Sequence, residues 1–242
     1  MIKYYDIAED PIITVLLPTY NRKEILHGTI DRLRANLIYD GKVAFIIGND
    51  GESLDGEDYG EDAYIIQGPK KGLGANLNEL IRYSYGIYSR YNRPLRSQMM
   101  THLIMPMDDD HWLNASLDLN RHVAAMRKNK YMGWIRLMQC AGHDFTATQE
   151  DYYWKVSWHS QGLYITSNRP SLRHPQFHNY FGLYQENKTL GQTEEHFCHS
   201  CKDAGRKYIS DGVQVPHVYI PMDSATEFGW DHVGESWQKA GF

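Results

Sequence analysis

Cysteine is scarce. The chain has three (Cys140, Cys198 and Cys201) in 242 residues. Three thiols cannot build a disulfide framework, so the sequence predicts a reducing, cytoplasmic setting. Long hydrophobic runs are missing too. The longest, Ile12–Leu17 and Leu103–Met107, are strand-sized, far short of the ~20 residues that cross a bilayer. The opening stretch MIKYYDIAED is too polar for a signal peptide. Nor is there an excess of positive charge. Lys and Arg number 25 against 30 Asp and Glu, a net −5, which counts against a protein that is basic all over. No repeat, low-complexity tract or linker breaks the chain. Collagen, coiled coil, membrane span and small secreted scaffold are excluded.

What is present fits one large domain. The hydrophobic share is 42% and the aromatic share 13%, too rich for a disordered chain. At this length a full core forms without staples. Ile12–Leu17, Val43–Gly48, Ala63–Ile66 and Leu103–Met107 read as strands, the apolar runs among them as strands buried on both faces. Between them, Leu26, Ile30, Leu33 and Leu37 mark one helix and Leu73, Leu77, Leu80 and Ile81 another. The order β-α-β-β-α-β over the first 110 residues predicts an α/β sheet with a nucleotide-type front half. Further on, a helix is expected over 116–129 and a strand at Tyr131–Met138. Strands are also expected at Tyr152–Trp158, Gly162–Thr166, Tyr208–Ile209 and Val213–Val215, and a helix at Thr193–Ala204. Residues 221–242 read as a polar, Trp-rich tail.

Charge is segregated along this chain. Gly48–Asp62 holds seven acids and no Lys or Arg. Leu80–Met107 holds Arg82, Arg90, Arg93 and Arg96 and no carboxylate. Asp108-Asp109-Asp110 follows directly on a strand, at the edge where open α/β sheets bind ligands. Three adjacent carboxylates repel, and Mg²⁺ or Mn²⁺ would relieve that. The competing reading is an acidic cap on the next helix; the place after the strand favours metal. Asp50, after the second strand, fits either a ribose or base contact or an Asp-Gly turn. Cys198 and Cys201, flanked by His196 and His199, suggest zinc only weakly, because no second cysteine pair exists. Arg169 and Arg173 are candidates for holding an anion.

The ordered set ITVLLPTYNR (13–22), FIIGNDGE (45–52), GLGANLN (72–78), LIMPMDDD (103–110), GQTEEHF (191–197) and Gly205-Arg206-Lys207 resembles the family 2 glycosyltransferases of the GT-A fold. The likeness covers about residues 10 to 220. It implies a Rossmann-like mixed central sheet flanked by helices, in a single domain. It also implies metal-dependent, inverting transfer of a hexosyl group from a nucleoside-diphosphate sugar, with UDP favoured. About 10–110 would be the donor half and about 111–220 the acceptor and catalytic half. Pro18, Thr19, Tyr20, Asp50, Gly72, Gly74, Asn78, Asp108 and Asp109 would line the donor. Asp108 and Asp110 would meet Mn²⁺ or Mg²⁺. The resemblance places the catalytic base in an acidic pair that opens a helix. Glu195 takes that place with Glu194 in reserve, where acids complementing the helix dipole are the plain reading. His217 is the expected further metal ligand, against a packed strand histidine.

The acceptor is left open between glycan, lipid-linked glycan, protein and nucleic acid. The last is suggested by Arg82–Arg96 with its interleaved tyrosines. A nucleotidyltransferase would want a glycine-rich phosphate loop after the first strand, which PTYNRKE lacks. A non-catalytic sugar-nucleotide module would not need both acid clusters. Nothing in the chain reads as a membrane anchor or an acceptor-selecting extra domain.

Overall fold

The computed structural model describes residues 6–85, 102–138, 145–162, 164–174, 176–222 and 229–233. In chain order the elements are β1 (Ile13–Thr19), α1 (Lys23–Asn36), β2 (Leu37–Ile38), β3 (Val43–Asn49), β4 (Ala63–Gln67) and α2 (Leu73–Ser84). Then come β5 (Leu103–Pro106), β6 (His111–Leu113), β7 (Leu117–Asp118), α3 (Leu119–Lys128), β8 (Met132–Arg136), β9 (Ala147–Glu150) and β10 (Tyr153–Val156). The rest are β11 (Ser171–Arg173), α4 (Phe177–Phe181), α5 (Leu190–Ser210), β12 (His217–Pro221) and β13 (Trp230–His232). Nine strands form one mixed sheet in the order β4-β3-β1-β5-β11-β8-β12-β10-β9.

Alternation within β1 shows why the sheet carries helices on both faces. Ile13, Val15 and Leu17 enter a core with Leu26, Ile30 and Leu33 of α1. Leu16 enters a second core with Leu77, Leu80 and Ile81 of α2 and Phe197 of α5. An apolar run buried on both faces stabilises the fold by roughly 1.5–3 kcal/mol per large side chain. Strand β1 runs parallel to both β3 and β5. The loops after Thr19, Asn49 and Pro106 therefore leave the sheet at one edge. Strand β11 is antiparallel to β5 and to β8.

The back half departs from expectation in identifiable places. Tyr208–Ile209 continues α5 instead of forming a strand, because the first breaker is Gly212 at φ +69°. Val213–Val215 is irregular, and the strand there is β12, from His217. No strand is assigned to the described residues of 162–166; β10 pairs with β9 and β12 instead. The short β9, β11 and α4 carry too little periodicity to be read from sequence. Residues 229–233 of the tail return to the sheet edge, where β13 pairs with β6.

Candidate active site

The acid cluster leaves β5 at the shared edge. Asp109 and Asp110 are buried and Asp108 is half-buried. Asp109 is fixed from two sides: Thr19 Oγ1 donates to its Oδ2 at 2.5 Å, and Thr29 Oγ1 donates to its carbonyl at 2.5 Å. Arg22 Nη1 lies 3.2 Å from Asp109 Oδ1 and 2.7 Å from Asp110 Oδ2. Burial works against the guanidinium charge, but the two carboxylates outweigh it and raise the Arg22 pKa. Asp109 is pushed up to about 6, mainly by burial and against the Thr19 and Arg22 contacts. Asp108 is raised well above the carboxylate range by burial, then by Asp110, Glu194 and Asp109.

That influence of Glu194 on Asp108 joins the two acid clusters across some 86 residues of sequence. The N-terminal part of α5, capped by Thr189 and Gln192, delivers Glu194 just past the first turn. Its Oε1 accepts from Asn168 N–H at 3.0 Å. Burial raises its pKa, offset by that bond and by Arg169 and Arg136. Glu195, the next residue along the helix, has a side chain 54% exposed, with Nε2 of His199 at 3.8 Å. Together with Gln185, Lys188, Gln192, His196 and His199 it lines a surface cleft. Of the acidic pair, then, Glu194 is half-buried and within electrostatic reach of Asp108, whereas Glu195 is exposed.

Residues expected at the donor fall into two groups. Thr19 and Asp50 sit at the edge, with Asp50 N–H bonded to the Thr19 carbonyl at 3.0 Å. Asp50 Oδ1 accepts from Lys70 N–H at 2.9 Å, and burial raises its pKa. Pro18 is buried at the end of β1, whereas Tyr20 is exposed beyond it. Asn21, at φ +54°, ties this loop to the next by accepting from Glu52 N–H at 2.7 Å. The second group binds the chain to itself. Asn78 Nδ2 donates to the Tyr184 carbonyl at 2.9 Å, and its Oδ1 accepts from Tyr184 N–H at 2.9 Å. A Cβ on Gly74 would stand 2.3 Å from the Gln185 carbonyl. Gly72, at φ +82°, starts α2 beside Lys188. These three pack α2 against the 184–188 segment.

A set of possible metal ligands lies beside Asp110, and it includes two residues the sequence did not single out. Ligand atoms of Asp110, His111 and His232 all lie within 4.8 Å of one another. His232 Nε2 is 3.2 Å from Asp110 Oδ2, and His111 Nδ1 is 3.5 Å from Asp110 Oδ1. Asp110 Oδ1 and His111 Nδ1 are both buried without a hydrogen-bond partner. Burial pushes the His111 pKa down to about 4, with Asp110 opposing. A neutral imidazole facing a bare carboxylate oxygen suits a divalent ion. The pairing of β6 with β13 sets His111 opposite His232. His217 is elsewhere: it opens β12, stacks on Trp158 at 6.2 Å and feels Lys155 and Glu150.

Arg169 faces Glu194 and His111 electrostatically. Arg173 is fully buried, over the Trp134 ring at 3.4 Å and bonded to Tyr184 Oη at 2.7 Å, so it belongs to the core. Cys198 and Cys201 are buried in α5, and Cys198 Sγ donates to the Thr166 carbonyl at 3.1 Å. Among the described residues, Asp110, His111 and His232 form the one group of metal-ligand type. Cys140 and most of Arg82–Arg96 lie outside the described residues.

A nucleotide-type sheet with an acid cluster at its edge, facing a helix-borne carboxylate, defines a GT-A glycosyltransferase fold. The chain belongs to glycosyl transferase family 2, whose profile matches residues 14–212. Among solved structures it is similar to S. aureus TarS 1–349 in complex with UDP-GlcNAc, at 13% identity and TM-score 0.57, over 93% of this chain and 61% of that one. It is also similar to the mannosyltransferase PcManGT from Pyrobaculum calidifontis with GDP-Man and Mn²⁺, at 14% identity and TM-score 0.46, over 92% and 62%. The chain thus spans about three-fifths of the first of these structures. Comparison with curated proteins gave no match. No helix among the described residues is long and apolar enough to cross a membrane.

Proposed function

We propose that this chain is a metal-dependent, inverting glycosyltransferase that moves a hexosyl group from a nucleoside-diphosphate sugar to an acceptor hydroxyl. One observation carries the reading: the Glu194 carboxylate of α5 comes within electrostatic reach of Asp108 at the sheet edge, and Arg169 acts on both Glu194 and His111. The first cluster suits a diphosphate and its cation, and the second suits a hydroxyl proton. UDP is the first donor nucleotide to test, because the TarS fragment was crystallised with UDP-GlcNAc.

Mechanistically, Glu194 takes the proton from the acceptor hydroxyl as that oxygen attacks the anomeric carbon. Its raised pKa makes it a stronger base than an exposed carboxylate. Attack opposite the leaving diphosphate inverts the anomeric carbon. The Asn168 N–H holds one carboxylate oxygen and thereby aims the other. Asp110, His111 and His232 would hold the divalent ion, which when bound neutralises charge growing on the leaving group. Asp50 and the Thr19–Arg22 loop form the nucleotide side. Glu195 lies in the neighbouring cleft, where an acceptor would approach.

The test is a thermal-shift screen of UDP-, GDP- and TDP-sugars with Mn²⁺ or Mg²⁺. Release of nucleoside diphosphate is then followed with glycan, lipid-linked glycan, protein and nucleic-acid acceptors. One nucleotide class should raise Tm, and turnover should vanish in EDTA. Turnover unaffected by EDTA would remove the metal from the mechanism. No donor binding at all would remove the transferase reading.

A further inference from the structure

We infer that Arg22 is a resident counter-cation that competes with the divalent ion for Asp110, so that the ion is taken up with the anionic donor rather than ahead of it. The inference rests on the metal reading given under the proposed function. Arg22 Nη1 bridges Asp109 Oδ1 at 3.2 Å and Asp110 Oδ2 at 2.7 Å. Both carboxylates are buried, at 4% and 5% exposure. Buried charges left unpaired are costly, so this guanidinium supports the folded state while no metal is present. Yet Asp110 Oδ2 is also the oxygen that lies 3.2 Å from His232 Nε2, inside the proposed ligand set.

A divalent ion takes a carboxylate oxygen at about 2.0–2.6 Å. Ion and guanidinium would then sit on one buried carboxylate, at a separation where like charges repel strongly. Asp109 supplies the way out. Thr19 and Thr29 hold that residue rigid, and it keeps a second anchor for the same nitrogen of Arg22. The guanidinium can therefore pivot off Asp110 without losing a carboxylate partner. Its side chain is 32% exposed and follows the β1 loop that lines the nucleotide side. An incoming diphosphate attracts both cations and removes the conflict between them. Metal alone meets the repulsion; metal with diphosphate does not. The middle acid of the cluster thus gains a role of its own, as the fixed post on which Arg22 turns.

Mn²⁺ binding, read from the EPR signal of free Mn²⁺ with and without UDP, tests this. Without UDP, Arg22→Gln should bind Mn²⁺ at least about five-fold more tightly than the unsubstituted protein, and the enhancement by UDP should shrink by the same factor. Arg22→Lys keeps the charge and should leave affinity close to the unsubstituted value. In EDTA, Arg22→Gln should melt lower, and it should gain more Tm from Mn²⁺. Equal or weaker Mn²⁺ binding by Arg22→Gln overturns the inference. Should that variant fail to fold, Asp109→Asn carries the test. Loss of the anchor commits Arg22 to Asp110, so Mn²⁺ must bind more weakly without UDP; unchanged or tighter binding overturns the proposal. Asp110→Ala separates the two levels. If it still binds Mn²⁺ normally, the metal assignment itself fails. If it loses Mn²⁺ while Arg22→Gln gains nothing, only the role of Arg22 fails.

Discussion

Glu194 carries a half-buried carboxylate, with a backbone N–H on one oxygen and two arginines acting on it. On the proposed mechanism, Glu194→Gln removes the base and keeps the shape. It should lower kcat by roughly 10²–10⁴ while donor affinity, measured by calorimetry, stays unchanged. Glu195→Gln should leave kcat intact; the reverse pattern would return the base to Glu195. The pH profile follows from the sign of the shift. Transfer needs the ionised form, and burial raises the pKa of Glu194. The acid limb of kcat should therefore lie above the ordinary carboxylate range, with activity lost as pH falls through it. The family resemblance put the base at Glu195 with Glu194 in reserve, and the proposed mechanism reverses that order. The difference in exposure follows helical periodicity: Glu194 is three residues before Phe197 and four before Cys198, both fully buried, whereas Glu195 is three before Cys198 and four before exposed His199.

At the scale of elements, α5 connects the site to the core. Its N-terminal part bears Glu194, and its middle packs Phe197 and Cys201 into the second core. Further along, Gly205 lies against Trp158: a Cβ there would stand 2.5 Å from the ring. The ring is fully buried among Phe177 and Phe181 and cannot retreat freely. Gly205→Ala should therefore cost about 1–3 kcal/mol, seen as a lower urea midpoint. Loss of kcat larger than the loss of folded protein would show that the helix also moves Glu194. An unchanged midpoint would mean that helix and ring separate easily. The glycine was visible in the sequence as part of a motif; its partner across 47 positions was not. Likewise β13 is too short to be recognised by pattern, so His232 became visible only through its pairing with β6.

For the whole molecule, acid stability reflects histidines buried without charge. Burial, joined by Arg173, pushes His178 down to about 3, whereas a free histidine titrates near 6.5. Between those values the unfolded chain binds a proton that the folded chain refuses. Stability from this group is full above pH 6.5 and is lost as pH falls through the window. His178→Gln should flatten the fall of the urea midpoint between pH 6.5 and 4; an unchanged slope would show that His178 does not stay neutral. The sequence by itself determined the nucleotide-type front half and the place of the acid cluster at a strand end. Both rest on local patterns: apolar runs long enough for strands, helical spacing between them, and acids where a strand stops. Only the tertiary structure decided that Glu194 comes within electrostatic reach of Asp108, that His232 lies beside Asp110, and that Arg22 already occupies one of its oxygens. Those partners stand some 86 to 122 positions apart. Strand order, not sequence spacing, sets which of them meet.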